Sequence, residues 1–339
     1  MHKLPFLNTK RPTTNQQNPA SMGDGEKSSN DNDNEPIRLG VVDLGTLALR
    51  FEVYELSADG QTASITHAYR SMPKLGDQAY EVGAISKSAI AEIVSQFSHI
   101  SNKARELKVT KLRAVGTSAL RDTAGGIELV ESVLQATGIN IEIISGTEEA
   151  RLTARGILSR EPKLDNETIL IDIGGGSTEL SLCSARKVIR SISLNLGAER
   201  LNHLAKSLSH NNPHPISEPL RTTLHKEIAS QIQPIRSWPE RGSTTTIVGS
   251  SGTARTFGRL AGNVSVISRD KVHQTLEILS NLSHEELIRF PGIEPSRASV
   301  TLFGGMILAD SMDLLDAEKM QVTKFSLRHG LLQEMLETT

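Results

Sequence analysis

Twice in this chain an apolar strand ends on an aspartate, turns through glycine and hydroxyl residues, and resumes as a second strand. The first unit reads as a strand over 37–43, a turn through Asp43-Leu44-Gly45-Thr46, and a strand over 49–56. The second reads as a strand over 168–172, a turn through Asp172-Ile173-Gly174-Gly175-Gly176-Ser177-Thr178, and a strand over 179–183. The two aspartates, at 43 and 172, stand 129 residues apart, an ordinary domain length. A weak repeat at that spacing predicts two similarly built domains that face each other across a cleft.

The intervening chain supports this plan. A third strand reads over 63–69. Ile90, Ile93, Val94, Phe97 and Ile100 recur at helical spacing behind Ser86, a suitable N-cap. A strand over 112–115, a helix over 127–136, a strand over 139–144 and a helix from about Glu148 follow. The second unit adds a strand over 189–196, with Ile192, Leu194 and Leu196 on one face, and another over 245–248. This is an α/β chain with mixed sheets and helices on their faces. The boundary is expected near 156–166, giving a first domain over 37–160 and a second over 161–339. Residues 1–36 are rich in Asn, Ser, Asp, Gly and Pro. With little to bury they are expected to form a disordered tail.

Composition narrows the partners. A formal net charge of −2 offers no broad field for nucleic acid or an anionic membrane, so any polyanion must be held by a local site. No stretch approaches the ~20 apolar residues that cross a bilayer. The N-terminus lacks a secretory apolar run, so the cytoplasm is the expected compartment. The single cysteine, Cys183, permits no internal disulfide and is expected to be a small buried residue. His210 and His214 flank Asn-Asn-Pro in an apparent loop and are expected to face solvent.

The second turn carries the densest chemistry. An acid at the end of a buried strand is costly without a cation or donors. Gly174, Gly175 and Gly176 let the backbone approach a ligand, and their N–H groups can converge on phosphate as a nest. Ser177 and Thr178 add hydroxyl donors. A glycine-rich hairpin is the competing reading, but it needs fewer of these features. Asp43, Gly45 and Thr46 could form a plain turn or, paired with the second unit, the opposite wall of a phosphate-binding cleft. Asp43 and Asp172 facing across that cleft would suit Mg²⁺, which takes carboxylates, waters and substrate phosphates.

Three further segments stay open on their residues alone. Gly249-Ser250-Ser251-Gly252-Thr253-Ala254 reads either as a third ligand loop or as a helix N-terminus. Thr117-Ser118-Ala119-Leu120-Arg121-Asp122 is either a surface loop or an anion site at a strand end. Glu148 and Glu149 open a helix, where acids are common for dipole reasons alone.

Together these segments resemble the exopolyphosphatase/guanosine pentaphosphate phosphatase family. Asp172 to Leu180 reads as its Asp-Ile-Gly-Gly-Gly-Ser-Thr-Glu-Leu signature without a mismatch. Thr117 to Asp122 is similar to its Thr-Ser-Ala-Leu-Arg-Asp motif, and Ser145 to Leu152 to its Ser-Gly-x-Glu-Glu-Ala-Arg-Leu motif. Leu196-Gly197-Ala198-Glu199-Arg200-Leu201 and Gly252-Thr253-Ala254 also match, and Leu327-Arg328-His329-Gly330 is similar to its closing Leu-Arg-Glu-Gly. The resemblance runs from about residue 38 to 335. It implies two ribonuclease-H-like domains of the actin/sugar-kinase/heat-shock-chaperone ATPase architecture, in a short two-domain form. It also implies Glu149 as the base that deprotonates the attacking water, Glu179 near metal or water, and Arg121 on the equatorial oxygens. Asp43 and Asp172 would position Mg²⁺. Gly45, Thr46, Thr117, Ser118, Gly174, Gly175, Gly176, Ser177, Thr178, Gly252 and Thr253 would hold phosphate.

Three departures stand out. Leu47 and Ala48 replace Asn and Ser of the family's first loop, removing side-chain donors from one wall. His329 stands where Glu is usual, and Lys74-Leu75-Gly76 where Arg-Leu-Gly is usual. The resemblance implies hydrolysis of inorganic polyphosphate from its end, of the 5′-γ-phosphate of guanosine pentaphosphate, or of both. A non-catalytic sensor of these ligands and an ATP-dependent small-molecule kinase are the rival readings. Family members often pair, so a homodimer is a further expectation.

Overall fold

The strand that carries Asp43 lies at the centre of its sheet, and so does the strand that carries Asp172. The computed structural model describes residues 36–57, 62–161, 164, 167–238 and 246–338. The proposed tail lies almost wholly outside these residues, and part of the proposed 156–166 boundary does too.

The first sheet is built from β1 (Arg38–Leu44), β2 (Leu49–Leu56), β3 (Ala63–Ser71), β4 (Lys111–Gly116) and β5 (Ile141–Ile143), in the order β3-β2-β1-β4-β5. Along this stretch of chain run the helices α1 (Leu75–Val82), α2 (Lys87–Glu106), α3 (Ser118–Asp122), α4 (Gly126–Thr137) and α5 (Gly146–Arg160). The second sheet uses β6 (Thr168–Ile173), β7 (Thr178–Ser184), β8 (Lys187–Leu194), β9 (Thr246–Gly249), β10 (Val266–Ser268) and β11 (Lys319–Val322), in the order β10-β11-β9-β6-β7-β8. Around it lie α6 (Ala198–Leu208), α7 (Glu218–Ile232), α8 (Ser251–Leu260), α9 (Arg269–Ser280), α10 (His284–Arg289) and α11 (Ala298–Leu314). The chain closes with α12 (Leu327–Glu337).

The two sheets repeat one pattern. β1 pairs antiparallel with β2 and parallel with β4, and β6 pairs antiparallel with β7 and parallel with β9. Register places Asp43 opposite Arg50, and Asp172 opposite Glu179. In each hairpin the partner stands seven residues on, so a local spacing becomes a cross-strand pair.

Most elements follow the sequence pattern. α2 starts at Ser86, whose hydroxyl accepts from the Ala89 N–H at 3.2 Å. It buries Ile90, Ile93, Phe97 and Ile100 against the first sheet, each worth about 1.5–3 kcal/mol. Cys183 is a buried free thiol, and burial pushes it up to about 12. α1 and α3 were not legible, being only eight and five residues long. β5 is shorter than its apolar run, because only three residues find partners on β4. His214 corrects the expectation of exposure. It is 5% exposed and stacks near His284 and Phe303, while His210 faces solvent.

The chain's end returns to its beginning. α12 packs on β1 and α5, where Leu327, Leu331, Leu332 and Met335 join Leu39, Val41, Tyr54 and Leu152 in one core. The crossing of α5 and α12 is close because Gly156 and Gly330 lack side chains. A Cβ on Gly330 would lie 1.9 Å from the Leu152 carbonyl oxygen. Arg328 and Ser326 are thereby carried to the mouth of the first hairpin. Among the described residues no helix is long and apolar enough to cross a membrane.

Candidate functional site

The turns after β1 and β6 are closed by the same backbone bond. Gly45 N–H donates to the Ala48 carbonyl at 3.0 Å, and Gly174 N–H to the Ser177 carbonyl at 2.9 Å. Each turn is also held from behind. The carbonyls of Thr46 and Leu47 accept from Gly76 and Lys74 N–H at the start of α1, at 3.0 and 3.2 Å. Those of Gly174 and Gly175 accept from Ala198 and Glu199 N–H at the start of α6, at 3.0 and 2.7 Å. The Gly176 carbonyl accepts from Arg200 Nε at 2.6 Å. A planar trans peptide points its N–H away from its carbonyl. The N–H groups of Gly175, Gly176 and Ser177 therefore turn away from α6, in the manner of an anion nest.

Between the turns lies a cavity of about 100 Å³. Among the residues singled out from the sequence, Asp43, Gly45, Thr46, Thr117, Glu149, Asp172, Gly174, Gly175, Gly176, Ser177, Glu179 and Gly252 line it. Four are turned elsewhere. Ser118 donates to Asp122 at 2.7 Å, while Thr178 and Thr253 are buried donors to the Leu196 and Ile173 carbonyls. Arg121 stands behind Glu149 and donates to it at 3.1 Å and to the Ile144 carbonyl at 3.0 Å. The segment after β9 is both things its sequence allowed. It begins α8, and its Gly252 reaches the cavity.

Four carboxylates converge here in different electrostatic settings. α5 is capped by the Ser145 hydroxyl, and of its two leading acids only Glu149 faces inward; Glu148 turns out to Arg151 at 2.7 Å. Burial, then the charge of Glu179, pushes Glu149 well above the ordinary carboxylate range, against the pull of Arg121. Burial and Asp172 push Glu179 up to about 7, although Ser177 and Ser193 hydrogen bonds oppose this. Asp172 is raised by burial while accepting from Ser250 at 2.5 Å. Asp43 meets Arg328 at 3.3 Å and Arg50 at 3.6 Å.

Five cations that carried no assigned role in the sequence also line the cavity: Arg50, Arg255, Arg297, Lys324 and Arg328. Burial, then Arg328, lowers Arg50 to about 10; burial, then Arg50, lowers Arg297 to about 10. Arg297 is 6% exposed and its Nε has no hydrogen-bond partner among the described residues. Arginines this close repel one another, and such a group is favourable ground for a polyanion. Arg50 had a signal, since it stands seven residues past Asp43. Arg328 lay in the closing motif and Arg255 beside Gly252, but Arg297 had no local mark.

Leu47 explains one departure. It is buried against Ala198, Val300 and Met72, and a Cβ on Gly175 would come within 2.8 Å of its Cγ. The residue thus ties the first turn to the second by apolar contact.

Two sheets of matching topology with phosphate-type turns across a shared cavity define a protein of the actin-like ATPase fold. Residues 56–339 match the Ppx/GppA phosphatase family, and the chain belongs to it. Exopolyphosphatase 1 of Mycobacterium tuberculosis (strain H37Rv) is 25% identical over 312 residues, spanning 89% of each chain. In structure, an exopolyphosphatase from Cytophaga hutchinsonii superposes with a TM-score of 0.80 at 22% identity, over 89% of this chain and 98% of its own. The Aquifex aeolicus Ppx/GppA family member gives 0.74 at 24% identity, over 90% and 99%.

Proposed function

We propose that this chain is an exopolyphosphatase that releases the terminal phosphate of inorganic polyphosphate by hydrolysis. The observation that carries the reading is Glu149, its side chain only 12% exposed, oriented by Arg121 and raised in proton affinity, facing a glycine turn across a cavity rich in arginine. In this reading Glu149 takes a proton from the attacking water. The N–H groups of Gly175, Gly176 and Ser177, with Thr46 and Thr117, hold the terminal phosphoryl oxygens. Arg50, Arg255 and Arg297 offset charge on the chain that leaves. Arg255, Lys324 and Arg328 also line an adjoining hollow of about 420 Å³ together with Arg160, which gives the following phosphates basic ground. The relatives named exopolyphosphatase agree with this substrate. Guanosine pentaphosphate presents the same terminal anhydride and belongs in the same assay.

The carboxylates suit Mg²⁺. No three His, Cys, Asp or Glu side chains gather as a cage among the described residues. Asp43 and Asp172 facing the same cavity match an ion that keeps waters and takes substrate oxygens. Those two residues would hold it, and it would neutralise phosphate charge.

The test is phosphate release with Mg²⁺ from long-chain polyphosphate and from guanosine pentaphosphate, with Glu149→Gln alongside. Loss of one positioned base is expected to lower the rate by about 10²–10⁴. Leu47 and Ala48, which leave the first turn without those side-chain donors, favour one rival: a sensor that binds without turnover. Tight binding of both ligands with no release would establish the sensor and overturn the enzyme.

A further inference from the structure

Arg200 stands behind the glycine turn, outside the cavity, and touches both halves of the fold. Its Nε donates to the Gly176 carbonyl at 2.6 Å. Its Nη2 bonds the Asp122 carboxylate and lies 3.4 Å from Ser118 Oγ, at the end of the first sheet. The guanidinium lies over the Tyr80 ring, 4.2 Å from its centre. Tyr80 in turn meets Ser118 Oγ at 3.0 Å and Thr46 Oγ1 at 3.3 Å.

Asp122 leads on to the acid proposed as base. Its other oxygen accepts from Arg121 Nε at 3.2 Å, and Arg121 Nη1 donates to Glu149 at 3.1 Å. One unbroken path therefore runs from the Gly176 carbonyl through Arg200, Asp122 and Arg121 to Glu149. Its side-chain links are charge-assisted, which makes them stronger and more directional than neutral bonds. Exposed ion pairs contribute little, but the Arg200 and Asp122 side chains are only 26% and 20% exposed. The surroundings leave no slack: a Cβ on Gly176 would lie 1.9 Å from the Tyr80 hydroxyl and 2.4 Å from Ser118 Oγ. In such packing a shift at one end must displace the other.

We infer that the Arg200–Asp122 pair is a latch that sets the phosphate turn of one sheet in register with the Glu149–Arg121 pair of the other. Arg200 and Asp122 are positioning residues: they touch no reacting atom and act through Gly176 and Arg121. The inference rests on the phosphatase reading for its kinetic consequences, though not for its structural ones.

The test uses the full chain with Arg200→Gln, Arg200→Lys, Asp122→Asn and the double variant Arg200→Gln/Asp122→Asn. With long-chain polyphosphate, Arg200→Gln is expected to lower kcat about 10²-fold, the scale of a misplacement near 1 Å. KM should stay within about threefold, because the ligand-binding groups remain. Arg200→Lys should recover part of the loss, since an ammonium can reach Asp122 but cannot make the planar fork. The double variant should be no slower than Arg200→Gln alone, because both substitutions cut one path. Independent, multiplying losses, or a change confined to KM, would overturn the latch. Hydrogen exchange supplies a readout free of catalysis. In Arg200→Gln the amides of 174–178 and of 145–150 should both exchange faster while the rest of the fold keeps its protection. Unchanged exchange over 145–150 would sink the inference whether or not polyphosphate is cut. Failure of the unaltered chain to hydrolyse polyphosphate would count against the phosphatase reading alone.

Discussion

The turn after β1 and the turn after β6 share a backbone and differ in nearly everything placed on it. Each is closed by one glycine N–H bond, and each is held from behind by the start of a helix. Yet register sets Arg50 opposite Asp43 in the first hairpin and Glu179 opposite Asp172 in the second. One wall of the cavity therefore pairs an acid with a cation, and the other sets two acids together. The second turn uses three glycines where the first has Gly45, Thr46 and Leu47. A common frame has been loaded in one half for charge neutralisation and in the other for close backbone approach beside buried acids. That division is what a site for a polyanion and a water needs.

Adding one methyl to each turn should separate the two walls most strongly. A Cβ on Gly176 would meet the Tyr80 hydroxyl at 1.9 Å, Ser118 Oγ at 2.4 Å and Thr46 Oγ1 at 2.7 Å. On Gly45 the nearest atom would be the Ala48 carbonyl oxygen at 3.4 Å, an ordinary contact. Phosphate-release assays should show Gly176→Ala losing about 10²-fold in kcat/KM, with Gly45→Ala within a few-fold of the unaltered chain. Equal losses would mean the two turns do the same work.

Exchanging the cross-strand partners should have a smaller and more diagnostic effect. Glu179 is a leading cause of the raised proton affinity of Glu149, second only to burial. Glu179→Gln removes that negative charge, so the ionised form of Glu149 becomes easier to keep. The acid limb of the pH–rate profile should move to lower pH, whatever happens to the maximum rate. Arg50→Gln should instead raise KM for polyphosphate and weaken its salt dependence, because it removes a cation from the opposite wall. A limb that stays in place in Glu179→Gln would show that Glu149 does not feel the second hairpin.

The least change is expected from Leu47→Asn, which puts back the family's side-chain donor. Leu47 is buried against Ala198 and Val300, so the substitution should cost about 1–3 kcal/mol. Thermal unfolding would register it as a lower Tm. If the donor finds phosphate, KM should fall at the same time. A lower Tm with unchanged KM would mean that Leu47 serves only to join the two turns.

Much of this arrangement could be read from the chain itself, for reasons that are local. Strand periodicity exposed β1, β2, β6 and β7, and the glycine run marked the second turn. Ser86 announced its helix by capping it, whereas the cap at Ser145 emerged only with the fold. Glu149 shows where such reading stops. Its position at a helix start is equally suited to an ordinary dipole interaction, and only the resemblance to a family separated it from Glu148. The structure distinguishes the two acids by direction: Glu148 faces Arg151, and Glu149 faces the cavity. His214 sits in a loop whose Asn and Pro neighbours suggest exposure, but Phe303 and His284 pack against it.

The two strand–aspartate–turn units, the glycine nest and the acids at their ends are local features, legible in the chain because each depends on neighbours within a few residues. Arg50 meets Asp43 by hairpin register, but the more distant cations arrive only through long-range packing. Arg328 reaches Asp43 across 285 residues, and it does so because α12 returns to pack its leucines on β1. Arg297 comes to Gly252 from a separate helix start. An arginine is buried only where long-range packing encloses it, so its charge becomes part of a site only when the chain has closed around it.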